Sequence, residues 1–160
     1  LDLVHGGLSL QEMVVPLIDY RYLRNDSKEY QKNKARYDTK PVTLRLLSSG
    51  RKISNMMFSL TFYQKEAVAG NFRAAVYALY FTDRNGKPVS DTVRLIADKT
   101  SEHDEERTFR VGFHLKSLPF DSKEIYELVI VDEDGLPVSR EEFTIDIAFA
   151  VDEFDFLGNR

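Results

Sequence analysis

His5 has the chemistry of a metal ligand, and its setting in this 160-residue chain is specific. It stands ahead of Gly6-Gly7, then Leu8-Ser9-Leu10-Gln11-Glu12, then the apolar run Met13-Val14-Val15-Pro16-Leu17-Ile18. Glycines let backbone approach an ion closely and adopt angles closed to other residues. Ser9 with Glu12 three residues on has the spacing of a capping box, which predicts a short helix leading into a strand. A lone imidazole holds a divalent ion weakly, because real sites use three or four ligands. These 160 residues are therefore expected to hold no metal alone, and His5 reads either as one ligand of a larger site or as a histidine that merely precedes a Gly-Gly turn.

Other chemistry-bearing residues read more plainly. His103, in Ser101-Glu102-His103-Asp104-Glu105-Glu106, has oxygen and nitrogen neighbours enough to suggest a metal, yet clustered acids of this kind are ordinarily a solvated reversal between strands. His114 falls on the polar side of an alternating stretch and receives no role. With three histidines and no cysteine, no nucleophile, base and orienting group are apparent, so no catalytic or cofactor-binding residue is assigned. Between Arg24 and Lys40, six basic side chains face three acidic ones, with Tyr30 and Tyr37 interleaved. Such a mixture can grip single-stranded nucleic acid, but an excess of three charges is that of a solvated loop, and nucleic acid is the minor reading.

The opening motif resembles the last metal-ligand motif of the alkaline phosphatase superfamily, and within it the PglZ group, phosphatase-like proteins of bacterial BREX and phage-growth-limitation defence. The likeness rests on His5-Gly6-Gly7-Leu8-Ser9, on Gln11-Glu12 and on the strand with Val15-Pro16-Leu17-Ile18. It implies that His5 is a ligand of one of two divalent metals, zinc being the ion expected, in a phosphohydrolase whose remaining ligands and Ser or Thr nucleophile lie upstream. It further implies a non-catalytic C-terminal interaction domain in the cytoplasm. The partners would be the upstream phosphatase domain of the same polypeptide and other phage-defence subunits. The competing reading is a stand-alone carbohydrate- or peptide-binding sandwich, with Tyr63 and Tyr80 as an aromatic platform.

Period-two alternation supplies the elements around these residues. Met56, Phe58, Leu60 and Phe62 alternate with polar or exposed positions, as do Phe109, Val111, Phe113 and Leu115, then Phe143, Ile145, Ile147 and Phe149, and more briefly Val42, Leu44 and Leu46. Arg84-Asn85-Gly86-Lys87 predicts a hairpin between strands 74–82 and 89–97, and Asp132-Glu133-Asp134-Gly135 one between 125–131 and 138–149. The stretch 74–81 is apolar at nearly every position and is expected to be a central strand covered on both faces, or one that faces a missing neighbour.

The expected architecture is an all-β, two-sheet antiparallel immunoglobulin-like sandwich of about seven strands at residues 41–150. A phosphatase-domain remnant at 1–23, a polar linker at 24–40 and an acidic tail at 151–160 complete the layout. A single domain of 160 residues can bury a conventional core. Zero cysteines and a net charge of -4 fit a cytosolic protein with no overall field for duplex nucleic acid. No apolar run reaches the roughly 20 residues a bilayer needs, so no membrane partner is expected. The absence of an initiating Met and the start within a motif suggest that Leu1 is an artificial or proteolytic boundary.

Overall fold

A computed structural model describes residues 22–147. His5, the strand expected within residues 13–22 up to Arg21, and the tail from 151 lie outside the described residues. Two compact units divide the chain at Lys34 and Ala35.

In the first unit, α1 (Lys28–Lys32) has no buried side chain. Its start is fixed instead by Ser27, an extended N-cap whose Oγ accepts from the Tyr30 amide at 3.1 Å. Glu29 in the first turn and Lys32 in the last match the direction of the helix dipole. A second single-turn helix, α2, covers Lys34–Tyr37.

Ten strands follow: β1 (Lys40–Pro41), β2 (Leu44–Leu46), β3 (Lys52–Ile53), β4 (Met57–Gln64), β5 (Phe72–Arg73), β6 (Ala75–Thr82), β7 (Val93–Ala97), β8 (Thr108–His114), β9 (Tyr126–Val131) and β10 (Pro137–Ile145). One sheet has the order β2-β4-β8 and is antiparallel throughout. The other has the order β3-β10-β9-β6-β7, antiparallel except where β3 lies parallel to β10. β1 and β5 form a two-residue parallel pair. The chain crosses repeatedly between the two larger sheets, giving the expected all-β, immunoglobulin-like sandwich.

Alternation decides which residues face inward. Leu60, Phe62 and Gln64 on β4, Val111 and Phe113 on β8, Leu79 and Phe81 on β6, Leu128 and Ile130 on β9, and Phe143 and Ile145 on β10 are all buried. Phenylalanine rings join the sheets: Phe81 of the five-stranded sheet meets Phe58 at 5.5 Å and Phe113 at 5.3 Å, both edge to face. It also meets Phe143 at 5.2 Å in the same geometry, which the ring quadrupole favours. The stretch 74–81 is indeed central, between β7 and β9, but its alternate residues Val76, Ala78 and Tyr80 are only half-buried.

Both hairpins are built by the same device. Asp83 Oδ1 accepts from the Asn85 and Lys87 amides, and Asp132 Oδ1 accepts from the Asp134 and Leu136 amides, all at 2.9–3.0 Å. Gly86 and Gly135 then close the turns at φ 80° and 77°, angles that an L side chain resists.

The expected strand 89–97 is shorter, because β7 begins only at Val93. Ser90 explains the difference. Its Oγ accepts the Phe81 amide at 2.8 Å, replacing a ladder partner, while Ser90 itself bridges Leu115 and the Asp91 amide reaches the His114 carbonyl at 3.0 Å. Residues 89–91 thus tie the two sheets together before the chain rejoins β6.

Tyr77 fixes the segment before β2. Its hydroxyl donates to the Val42 carbonyl at 2.5 Å in the core, and burial pushes the phenol pKa above its ordinary 10.0. Tyr77→Phe is expected to cost about 1 kcal/mol in urea unfolding near neutral pH. A raised acid pKa means that the folded state keeps its proton while the unfolded phenol ionises near pH 10, so stability is full below that pH and falls above it. The gap between wild type and Tyr77→Phe should therefore narrow as pH rises past 10. A constant gap up to pH 11 would contradict the burial of the phenol.

Candidate functional site

The charged turn around His103 is braced from within. Residues Asp104–Arg107 form a single 3-10 turn, and the His103 amide donates to Ser101 Oγ at 3.1 Å. The Ser101 hydroxyl donates to Glu106, and Asp104 accepts from Arg107 at 2.6 Å. Two of the acids that suggested a metal, Asp104 and Glu106, are engaged by the protein, and among the described residues no group of three or more His, Asp or Glu is placed to hold an ion. The described residues do not themselves form the dinuclear centre that the opening motif implies.

Arg107 organises this region, although nothing in the alternation pattern flags it. Only 5% exposed, it donates Nε to the Gln64 carbonyl, Nη1 to Ser101 and Nη2 to Lys65, each at 2.8–3.0 Å. Nη2 also donates to the Tyr63 hydroxyl at 3.0 Å. Burial works against the charge, but the bonds to Asp104 and Tyr63 more than offset it, and the guanidinium is held charged above its ordinary range. Gln64 completes the bracing. Fully buried, it donates Nε2 to the carbonyls of Glu66 and Lys99 at 2.7 Å and accepts from the Lys99 amide at 3.0 Å.

Tyr63 and Tyr80 do not form the platform expected of a stand-alone binding module. Tyr63 lies on the outward side of β4 and holds Arg107, whereas Tyr80 lies on the outward side of β6 in the opposite sheet. Two tyrosines on opposite outer faces of a sandwich cannot meet one ligand.

Several shallow grooves mark the surface of the described residues, and two have the larger volumes among them. The first, about 800 Å³, runs beside β10 and is lined by Arg51, Lys52, Arg140, Glu141, Glu142 and neighbouring residues. Its charges are largely paired: Arg51 with Glu141 at 3.4 Å, Lys52 with Asp146 at 3.4 Å and Arg140 with Glu127 at 2.9 Å. Exposed pairs of this kind contribute little stability.

The second groove, about 600 Å³, is lined by Met57, Ser59, Asp91, Val93, Arg110 and His114 among others, with Gly112 at its floor. His114 thus has a place after all, exposed at the end of β8. The second groove places Ser59, Asp91 and His114 in one lining, but no hydrogen bond joins Ser59 to His114.

The class defined by these observations is an all-β sandwich domain with braced loops and open surface grooves. No protein-family model matches the chain. Across 93% of its length it is 39% identical to the alkaline phosphatase-like protein PglZ of Bacillus cereus (strain H3081.97). Across 94% it is 25% identical to the alkaline phosphatase-like protein BrxZ of Escherichia coli O9:H4 (strain HS). The chain spans 17% of the length of each of these relatives. Among solved structures, a β-glucuronidase of glycoside hydrolase family 2 aligns over 66% of the chain and 11% of its own, at 12% identity and a TM-score of 0.32, too slight a likeness to bear on function. The chain fits a C-terminal part of a PglZ-like protein, the group to which the opening motif pointed.

Proposed function

We propose that this chain is the non-catalytic contact domain of a PglZ-like phosphohydrolase that acts in BREX-type phage defence in the cytoplasm. The observation that carries the reading is the match to PglZ along 93% of this chain but only 17% of the relative. Most of such a protein lies elsewhere, and the sandwich is a small part joined to a much larger one. The described residues form a sandwich with open surface grooves, which suits a domain that positions its neighbours.

His5 is the one residue of this chain assigned to the chemistry, as a ligand to one of two divalent metals, zinc being the ion expected, whose other ligands the rest of the polypeptide supplies. When bound, such ions polarise phosphoryl oxygens and activate the nucleophile. A full-length protein bearing His5→Ala should lose close to one equivalent of metal by elemental analysis and most of its turnover of a simple phosphate ester. Its circular dichroism should match wild type. Unchanged metal content would remove His5 from the centre and with it the link between motif and metal.

A further inference from the structure

We propose that the free edge of β8 at Arg110 and Gly112 receives an extended strand from the remaining, phosphatase-like part of the same polypeptide. The proposal rests on the contact-domain reading and specifies the surface it uses.

The hydrogen-bond directions place this edge. On β4, the Thr61 carbonyl accepts from Leu47 and the Lys65 amide donates to Thr43, so odd-numbered residues face β2. Even-numbered residues of β4 therefore face β8, in register with Phe109, Val111 and Phe113, and the Leu115 amide accordingly reaches Met56. The backbone groups of Arg110, Gly112 and His114 then point away from β4. The His114 carbonyl is taken by the Asp91 amide at 3.0 Å, and one step on the Lys116 amide reaches the Val89 carbonyl at 2.9 Å. At Arg110 and Gly112, no strand of the described residues pairs with that edge.

Natural edges are blunted by charge, proline, bulges or brevity. Over Pro137–Phe143, where β3 does not pair with it, β10 shows such devices, with Pro137, a register shift between Pro137 and Ser139, and Arg140, Glu141 and Glu142. β8 instead places a glycine at the middle of its exposed face. A mid-strand glycine weakens a strand and often marks the close approach of another backbone. Nothing among the described residues explains it, since a Cβ at Gly112 would meet none of their atoms within 4 Å and φ is not positive. The groove of about 600 Å³ opens at this point, beside Met57, which is 71% exposed.

The occupant follows from chain length. The relatives are about six times as long as their matched segment, so the nearest source of an extended strand at high effective concentration is the same polypeptide. Pairing to the Gly112 and Arg110 backbone supplies affinity, and the Arg110 side chain favours an acidic residue on the incoming strand.

The test is hydrogen exchange on the full-length protein. The Arg110 and Gly112 amides should exchange on the order of 100-fold slower than open-chain rates, although no strand of the described residues bonds them. Gly112→Pro removes a donor that β4 does not use. It should return the Arg110 amide to open-chain exchange while the Leu60 and Phe62 amides, which face β8, stay protected. Should the proline variant unfold, those two amides will show it, and the wild-type rates at Arg110 and Gly112 then decide alone.

Open-chain exchange at both wild-type amides overturns the proposal. Lysine cross-linking of the same sample separates the two readings. Cross-links from the sandwich to the remainder with an unprotected edge would leave the contact domain but move its surface, whereas no cross-links would overturn both.

Discussion

Phe81→Ala is expected to destabilise the sandwich by about 4 kcal/mol, close to the upper end for truncation of a buried ring. Phe81 has no exposed surface and lies near the end of β6, paired with Leu128 of β9 on one side and bonded to Val89 and Ser90 on the other. Its ring contacts Phe58 and Phe113 of the facing sheet and Phe143 of its own, so one deletion removes three edge-to-face contacts and leaves a void between two sheets. Such a void collapses poorly, because each wall is held by a hydrogen-bonded ladder. A domain of this kind has a total stability of about 5–15 kcal/mol, so the variant should keep its fold in the cold but lose much of its urea midpoint. Phe81→Leu, which refills part of the space, should fall between the two. A shift below about 1 kcal/mol for the alanine variant would mean that the sheets do not meet at this ring.

The half-buried strands were legible because burial on one face leaves a period of two in the sequence, as at Leu60 and Phe62 or Val111 and Phe113. The hairpins were legible because only glycine accepts the φ of Gly86 and Gly135. Strand order left no such trace, since it depends on which apolar faces meet in space. α1 escaped notice because Ser27 caps it and no apolar stripe supports it. The early end of the expected strand 89–97 turned on the Ser90 hydroxyl replacing a backbone partner, a choice that propensity does not encode. The opening motif indicated the right group of proteins, while its residue His5 lies outside the described residues. Gln64 was the missed signal within reach: it continues the inward series Leu60, Phe62, and a polar residue at an inward position implies partners waiting there.

Those partners make Gln64→Leu the second large effect. Leucine approximates the volume of glutamine but offers neither donor nor acceptor, so the Glu66 carbonyl and the Lys99 amide lose their bonds at once and the Lys99 carbonyl keeps only the Val68 amide. Each buried group left unpaired costs about 1–3 kcal/mol, and water reaching the Lys99 end offsets part of the sum, giving about 3 kcal/mol overall. The loss should be local as well as global. Lys99 begins the segment that Arg107 pins through Ser101, and with Gln64 gone its Lys99 end keeps only the bond from the Val68 amide. Exchange of the amides of residues 99–106 should therefore accelerate well below the global unfolding midpoint, while the Phe81 and Leu128 amides slow-exchange as before. If residues 99–106 instead stay protected until the whole domain unfolds, Arg107 alone suffices to hold the loop, and the glutamine is only filling space.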